Sequence, residues 1–191
     1  MSNATERAPY LEAGDAVLMP LGFKRKKREY EWRRAVDRDV EWIHLNFGRA
    51  VINPSFGVSY VDLNSLLPPE VGVRCGQHFM LQSLTGTSYS SDTSSPNDIA
   101  LDLQKAVSEF PQLHDREAFI QILMSDKAPT KQVLLFSHRI RTLPLMLATS
   151  GRLAEALDCL ARFEASDLAR DQMVPGYDVY ASHFRKKYAN L

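Results

Sequence analysis

The most distinctive chemistry in this 191-residue chain is a mixture of basic and aromatic residues near its N-terminus. Lysine and arginine neutralise phosphates and pair with carboxylates, and exposed aromatic rings stack on bases or fill pockets in a partner protein. Alternation of residue types predicts that this stretch belongs to a β-sheet. The predicted binding residues on the basic and aromatic strand are Lys24, Arg25, Lys26, Lys27, Arg28, Tyr30, Trp32, Arg34 and Trp42.

Acidic residues in the same window oppose this positive charge. Glu29, Glu31, Asp37, Asp39 and Glu41 would pair with the cations across strands and weaken their field. The whole chain carries 23 Lys+Arg against 23 Asp+Glu, which gives a formal net charge of zero. The pattern is therefore typical of a solvated strand whose charges protect a sheet edge. Single-stranded nucleic acid and an acidic protein partner stay open as ligands of this strand.

A second group, His44, Cys75 and His78, assembles only if the fold brings it together. A cysteine beside a histidine is the arrangement used in nucleophilic catalysis. Cys75 alternates with Val73 and Phe79, however, and this pattern favours a buried structural thiol. The sequence has no spacing typical of zinc ligands, of a nucleophilic serine or of a phosphate-binding loop. We therefore predict no catalytic residue, no metal and no cofactor, and we favour a protein that is not an enzyme.

The elements that position these residues change character along the chain. A short helix is predicted over 8–21, followed by period-two patterns over 28–34, 40–47, 56–63 and 73–81 that predict antiparallel strands. After residue 97 the apolar spacing becomes helical up to residue 188. The fold class is therefore α+β, with an N-terminal helix, an antiparallel sheet of about four strands and a C-terminal set of about five helices.

The stretch 85–97 is rich in serine and threonine and has little to bury, which predicts a loop or linker. Residues 1–84 are then the helix and the sheet, and residues 98–191 are a helical region packed on the sheet as one compact unit. A sheet beside a short helical array leaves a concave surface between them, where a ligand prefers to bind. The loop 85–97 is placed to cover that surface.

Residues 10–82 resemble an uncharacterised bacterial family whose members begin with a helix, an LGFK-type segment and an aromatic and basic strand. The resemblance is carried by Leu18-Met-Pro-Leu-Gly-Phe-Lys-Arg-Lys-Lys-Arg-Glu-Tyr-Glu-Trp-Arg-Arg34, Val40–Gly48 and Phe56–Tyr60. It implies a fold and no site residues, because that family has no established activity.

A weaker resemblance, over 140–163, is to one tetratricopeptide helix pair. It rests on Leu143, Leu147, Gly151, Ala156 and Leu160. Stacked repeats need about three copies for stability, so an ordinary helical hairpin is the preferred interpretation.

Composition limits the class of protein further. Two cysteines are too few for a disulfide framework, no apolar run is long enough to cross a membrane, and the first residues do not form a secretory signal. We predict a cytoplasmic protein without membrane contact. The favoured function is a non-enzymatic protein-binding module, and the alternatives are single-stranded nucleic-acid binding through 24–42 and an enzyme with a fold-assembled Cys/His site. Neither the partner nor the oligomeric state follows from the sequence.

Overall fold

The computed structural model describes residues 4–26, 29–69, 75–125, 138–165 and 176–188. The strands are β1 (Lys24–Arg25), β2 (Glu31–Val36), β3 (Asp39–Phe47), β4 (Val51–Tyr60), β5 (Gly76–Met80) and β6 (Tyr89–Ser90). The α-helices are α1 (Ala4–Leu18), α2 (Val61–Asn64), α3 (Leu81–Thr85), α4 (Pro96–Val107), α5 (Phe110–Leu113), α6 (Arg116–Met124), α7 (Leu143–Thr149), α8 (Leu153–Glu164) and α9 (Tyr177–Tyr188).

The described strands form one six-stranded antiparallel sheet in the order β1-β2-β3-β4-β5, with β6 paired to β4. The α+β class, with an N-terminal helix before the sheet and helices after it, is confirmed. The sheet has more strands than the expected four because β1 and β6 are two residues each, too short to produce a period in the sequence. β4 begins at Val51 and ends at Tyr60, where the chain turns into α2, so the predicted strand over 56–63 begins five residues late and ends three residues late.

The fold consists of two compact units, and each is built from more than one stretch of the chain. Within the described residues, the first unit contains everything up to Ser59 together with Gln77–His114. The second contains the described part of Tyr60–Gly76 and everything from Asp115 on. The predicted boundaries at 84 and 98 stay a prediction.

In the first unit, α1 packs against α4 and against the inner face of the sheet. The sequence predicts that Gly14 interrupts the first helix, but α1 continues through it from Ala4 to Leu18. The reason for the glycine is a close approach, since a Cβ at position 14 would lie 2.6 Å from the Trp32 ring. The fully buried rings of Phe23 and Phe110 continue this core, with their centroids 5.8 Å apart.

In the second unit, a π-helical turn over His138–Thr142 leads into α7, and α7 packs against α8. The two helices are joined through Gly151, whose φ of +83° is a left-handed conformation that glycine adopts without strain. The aromatic residues of α9 form a continuous series in which Tyr177, Tyr180 and Phe184 have consecutive ring centroids 6.0 Å apart. The apolar spacing from Val133 to Ile140 predicts a further helix capped by Thr130, and most of this range lies outside the described residues.

Helix α4 shows how local chemistry sets an element boundary. The sequence suggests Asn97 or Asp98 as its N-cap, but the cap is Ser95, whose Oγ accepts a hydrogen bond from the Asp98 backbone N at 3.1 Å. Pro96 then occupies the first turn, where its missing N–H costs nothing. Among the described helices, none has the length and hydrophobicity required to span a membrane.

Candidate functional site

Strand pairing separates the basic and aromatic cluster into two faces of the sheet. β1 pairs with β2 so that Lys24 lies opposite Arg33 and Arg25 lies opposite Trp32. Residues directly opposite each other point to the same face, and neighbours along a strand point to opposite faces. Lys24 and Arg33 therefore lie on the exposed face, while Arg25 and Trp32 point towards α1.

The inward-facing residues are occupied by contacts within the fold. Trp32 is completely buried, and its Nε1 donates a hydrogen bond to Asp15 Oδ1 at 2.7 Å. Arg25 donates to both oxygens of Asp15, at 2.9 and 2.5 Å, and lies 5.5 Å from the Trp32 ring. These bonds from Arg25 hold the pKa of the Asp15 carboxyl below its ordinary value. Trp32 is thus not available to stack on a base, and Arg25 contributes to folding.

A buried polar cluster surrounds the next inward-facing arginine. Arg34 Nε donates to Glu41 Oε2 at 2.6 Å, and its Nη1 donates to the Leu21 carbonyl at 2.7 Å. The His114 ring lies between two carboxylates, with Nδ1 3.2 Å from Asp39 Oδ2 and Nε2 3.0 Å from Glu41 Oε1. Both carboxylates are almost fully buried. The cluster neutralises Arg34 inside the protein.

Sequence reasoning missed this cluster, because it treated the acidic residues as surface charges. A signal was present. Asp39 and Glu41 have the same parity along β3 as Ile43 and Leu45, which are both fully buried. Because successive side chains of a strand point to opposite faces, this parity places the two carboxylates on the inner face of the sheet. Their partner His114 lies 73 residues beyond Glu41 in the chain, so no local pattern in the sequence indicates it.

Trp42 and His44 lie on the half-buried face of β3, and the structure shows what they contact. The Trp42 ring meets the His78 ring edge-on at 4.9 Å. Glu31 lies opposite His44 in the β2–β3 register. Burial lowers the pKa of His44 despite the nearby Glu31 charge, and burial together with His44 lowers the pKa of His78. Both rings are therefore mostly neutral at pH 7 and add little charge to this face.

The remaining described members of the predicted binding set have separate contacts. The Lys26 side chain is 79% exposed, and its Nζ lies 3.7 Å from Glu29 Oε1. Lys27 and Arg28 lie outside the described residues. Tyr30 accepts a hydrogen bond at its hydroxyl from Arg7 Nη1, at 2.9 Å. The structure therefore does not assemble these residues into a single cationic surface over the part of the sheet that it describes.

Cys75 has the character of a structural thiol. It is 1% exposed, and burial raises its pKa to about 12, so almost no thiolate exists at neutral pH. It belongs to the second unit, whereas His44 and His78 belong to the first. Within the described ranges, no group of three or more His, Cys, Asp and Glu side chains could hold a metal ion.

The first unit contains a cleft of about 1,090 Å³ that three separate segments build. One wall is the first part of α1, the second is the end of β3 with the turn after it, and the third comes from the serine-rich stretch 85–97. The side chains that define its chemistry are Glu6, Arg7, Tyr10, Phe47, Arg49 and Asp92. The sequence predicts a concave surface between the sheet and the C-terminal helices, covered by 85–97, whereas this cleft lies between α1, the turn after β3 and 85–97. Its residues form no local motif and come together only in the fold.

Aromatic rings pack against one another on one side of this cleft. The Phe47 ring packs edge-on against Tyr30 at 5.5 Å and against Tyr10 at 6.1 Å. The Arg7 guanidinium lies 5.4 Å from the Tyr30 ring and 5.5 Å from the Phe47 ring. Tyr10 also anchors the serine-rich stretch, because its hydroxyl donates to the Ser94 carbonyl at 3.0 Å. Contacts of this kind hold a binding surface in place before a ligand arrives.

Comparisons with models of protein families, with curated proteins and with solved structures found no match to this chain.

Proposed function

We propose that this chain is a non-enzymatic, cytoplasmic protein-binding module whose partner occupies the cleft between α1, the β3–β4 turn and the stretch 85–97. The observation that carries the proposal is the cleft itself. It combines an aromatic side, formed around Phe47, with charged side chains of both signs at its rim. Protein interfaces have this composition: aromatic and arginine anchors at the centre, surrounded by polar groups.

The charges of the described residues favour a protein over a nucleic acid. A polyanion needs several cations that act together, but Arg25 is neutralised by Asp15 and Arg34 by Glu41. In the cleft, the positive charges of Arg7 and Arg49 are matched in number by the negative charges of Glu6 and Asp92. A surface with balanced charge suits a partner that also carries both signs.

The chemistry of the titratable groups supports binding without catalysis. The thiol with a pKa near 12 is a poor nucleophile, which weighs against the Cys/His alternative. His114 has a carboxylate at each ring nitrogen, so neither nitrogen is directed at a substrate position. These observations concern only the residues that the structure describes.

The test compares two charge reversals of the same kind in an affinity capture from the source cell extract. Arg49→Glu changes the rim of the cleft. Arg162→Glu is the matched control, because Arg162 is 66% exposed on α8 and pairs with a neighbouring carboxylate at 2.8 Å. We expect wild type and Arg162→Glu to retain the same protein after nuclease treatment, and Arg49→Glu to lose it. Retention by all three variants, or loss of all bound material with nuclease, would contradict the proposal.

A further inference from the structure

A small pocket in the first unit shares no described residue with the cleft. One wall is formed by Phe56 on β4 and Phe79 on β5, whose rings are stacked with their centroids 5.5 Å apart. The Phe56 ring also packs edge-on against Phe110 at 6.1 Å, so these contacts form the wall before a ligand arrives. The rest of the apolar lining consists of Met80, Leu84 and Leu113.

The volume of the pocket limits the size of its occupant. The pocket has a volume of about 60 Å³. A water-sized group needs about 10–15 Å³ of such space, so the pocket accommodates about four to six carbon atoms. Sites that enclose a whole small molecule are larger, at about 300–1,000 Å³. The pocket therefore suits one side chain of a larger molecule, and a leucine or isoleucine side chain is of this size.

The opening of the pocket carries a negative charge. Its two polar lining residues are Ser83 on α3 and Glu109, which immediately precedes α5, and both are partly exposed. Gln112 Nε2 donates a hydrogen bond to Glu109 Oε2 at 2.6 Å, and this neutral amide leaves the charge of the carboxylate in place. Lys105, the preceding basic residue, pairs with Asp102 instead, at 2.7 Å. A cation beside the bound side chain would therefore complement Glu109.

We infer that this pocket binds a segment of a partner protein in which a leucine-sized aliphatic side chain stands next to a basic residue. The aliphatic side chain would pack on the stacked rings of Phe56 and Phe79, and the basic residue would pair with Glu109. A preformed pocket that takes one anchoring side chain and has polar groups at its rim is typical of the points where protein interfaces concentrate their binding energy. This inference does not rest on the cleft, so the capture experiment with Arg49→Glu and the experiment below succeed or fail separately.

The experiment titrates capped dipeptides into the full, isotope-labelled chain at neutral pH. Acetyl-leucyl-lysine amide should shift the signals of Met80, Ser83 and Leu84 and reach saturation in the millimolar range, as expected for a ligand of this size. Acetyl-alanyl-lysine amide lacks the carbon atoms that fill the pocket, and acetyl-tryptophanyl-lysine amide exceeds its volume, so both should bind more weakly. Acetyl-leucyl-glutamate amide reverses the charge and should bind about two- to fivefold more weakly.

A substitution at the rim separates the charge from the apolar contact. Glu109→Gln should weaken the binding of acetyl-leucyl-lysine amide about two- to fivefold and remove its advantage over acetyl-leucyl-glutamate amide. Glu12→Gln is the matched control, because Glu12 is exposed on α1 and lines neither the pocket nor the cleft; it should leave binding unchanged. The inference is overturned if the alanyl peptide binds as tightly as the leucyl peptide, if no peptide gives saturable shifts at these residues, or if Glu109→Gln binds the leucyl-lysine peptide as tightly as Glu12→Gln does.

Discussion

Asp15 gives the sharpest test of how this fold is held together. Its carboxylate accepts hydrogen bonds from Arg25 Nε, Arg25 Nη2 and Trp32 Nε1, at 2.9, 2.5 and 2.7 Å. The substitution Asp15→Ala removes all three bonds at once. Asp15→Asn keeps an oxygen for Trp32 but loses the charge that pairs with Arg25. The two variants therefore separate the ion pair from the hydrogen bond to tryptophan.

The expected magnitudes follow from burial. Trp32 is fully buried, so an indole N–H without an acceptor costs about 1–3 kcal/mol. The ion pair is partly exposed, with 16% of the Arg25 side chain and 27% of the Asp15 side chain accessible, so its loss adds about 1 kcal/mol. We expect Asp15→Ala to lower the free energy of unfolding by about 2–4 kcal/mol and Asp15→Asn by about 1 kcal/mol.

The stability that Asp15→Asn loses relative to wild type should also depend on pH. The pKa of Asp15 in the folded protein is lowered, chiefly by its hydrogen bonds from Arg25. A lowered folded pKa stabilises the protein fully above the unfolded pKa of about 3.9, and the contribution disappears as the pH falls through the folded value. The difference between wild type and Asp15→Asn should therefore be constant from pH 7 to about pH 5 and decrease below pH 4.

Urea unfolding followed by tryptophan fluorescence measures these differences. Asp158→Asn is the control, because Asp158 is 62% exposed in an i,i+4 pair on α8 and should change stability by less than about 0.5 kcal/mol. The reasoning is refuted if Asp15→Ala is no more destabilising than this control. It is also refuted if the Asp15→Asn difference grows as the pH falls below 4.

Two other substitutions test close packing and the buried polar cluster. Gly57→Ala should destabilise the protein by about 3 kcal/mol or more, since its Cβ would lie 1.9 Å from the Gln77 carbonyl oxygen. Gly86→Ala is the comparison, because no atom lies within 4 Å of its Cβ and only its φ of +74° is unfavourable; an equal loss in the two variants would contradict the packing argument. His114→Ala should cost about 1–3 kcal/mol in chemical denaturation, since it removes the ring between two buried carboxylates, of which Glu41 keeps its hydrogen bond from Arg34. A stability equal to that of wild type would show that these carboxylates find other donors.

The fold class followed from the sequence because periodicity is local. The alternation in 40–47 and the apolar stripe from Leu153 to Phe163 correspond directly to β3 and α8. The residues at which helices begin and end are harder to predict, because they depend on single contacts. The sequence does not reveal that Gly14 accommodates a tryptophan ring or that Ser95, rather than Asn97, caps α4.

The candidate site was less accessible to sequence reasoning. A run of cations has an obvious local signal, but whether it forms a surface depends on strand pairing and on distant carboxylates. Arg25 and Arg34 are neutralised by Asp15 and Glu41, which lie 10 and 7 residues away along the chain. The cleft combines three segments, none of which has a recognisable motif. Its existence follows from tertiary packing alone.

The contacts of the β3 carboxylates join the β2–β3 hairpin to a residue that is synthesised much later. Asp39 and Glu41 leave a ribosome long before His114, which is separated from Asp39 by 75 residues. Until that histidine is available, closing the inner face would bury Glu41 with Arg34 beside it, but both carboxylates would lack the ring that lies between them in the folded protein. The inner face of the hairpin therefore reaches its final set of side-chain contacts only after the residue that follows α5 has been synthesised.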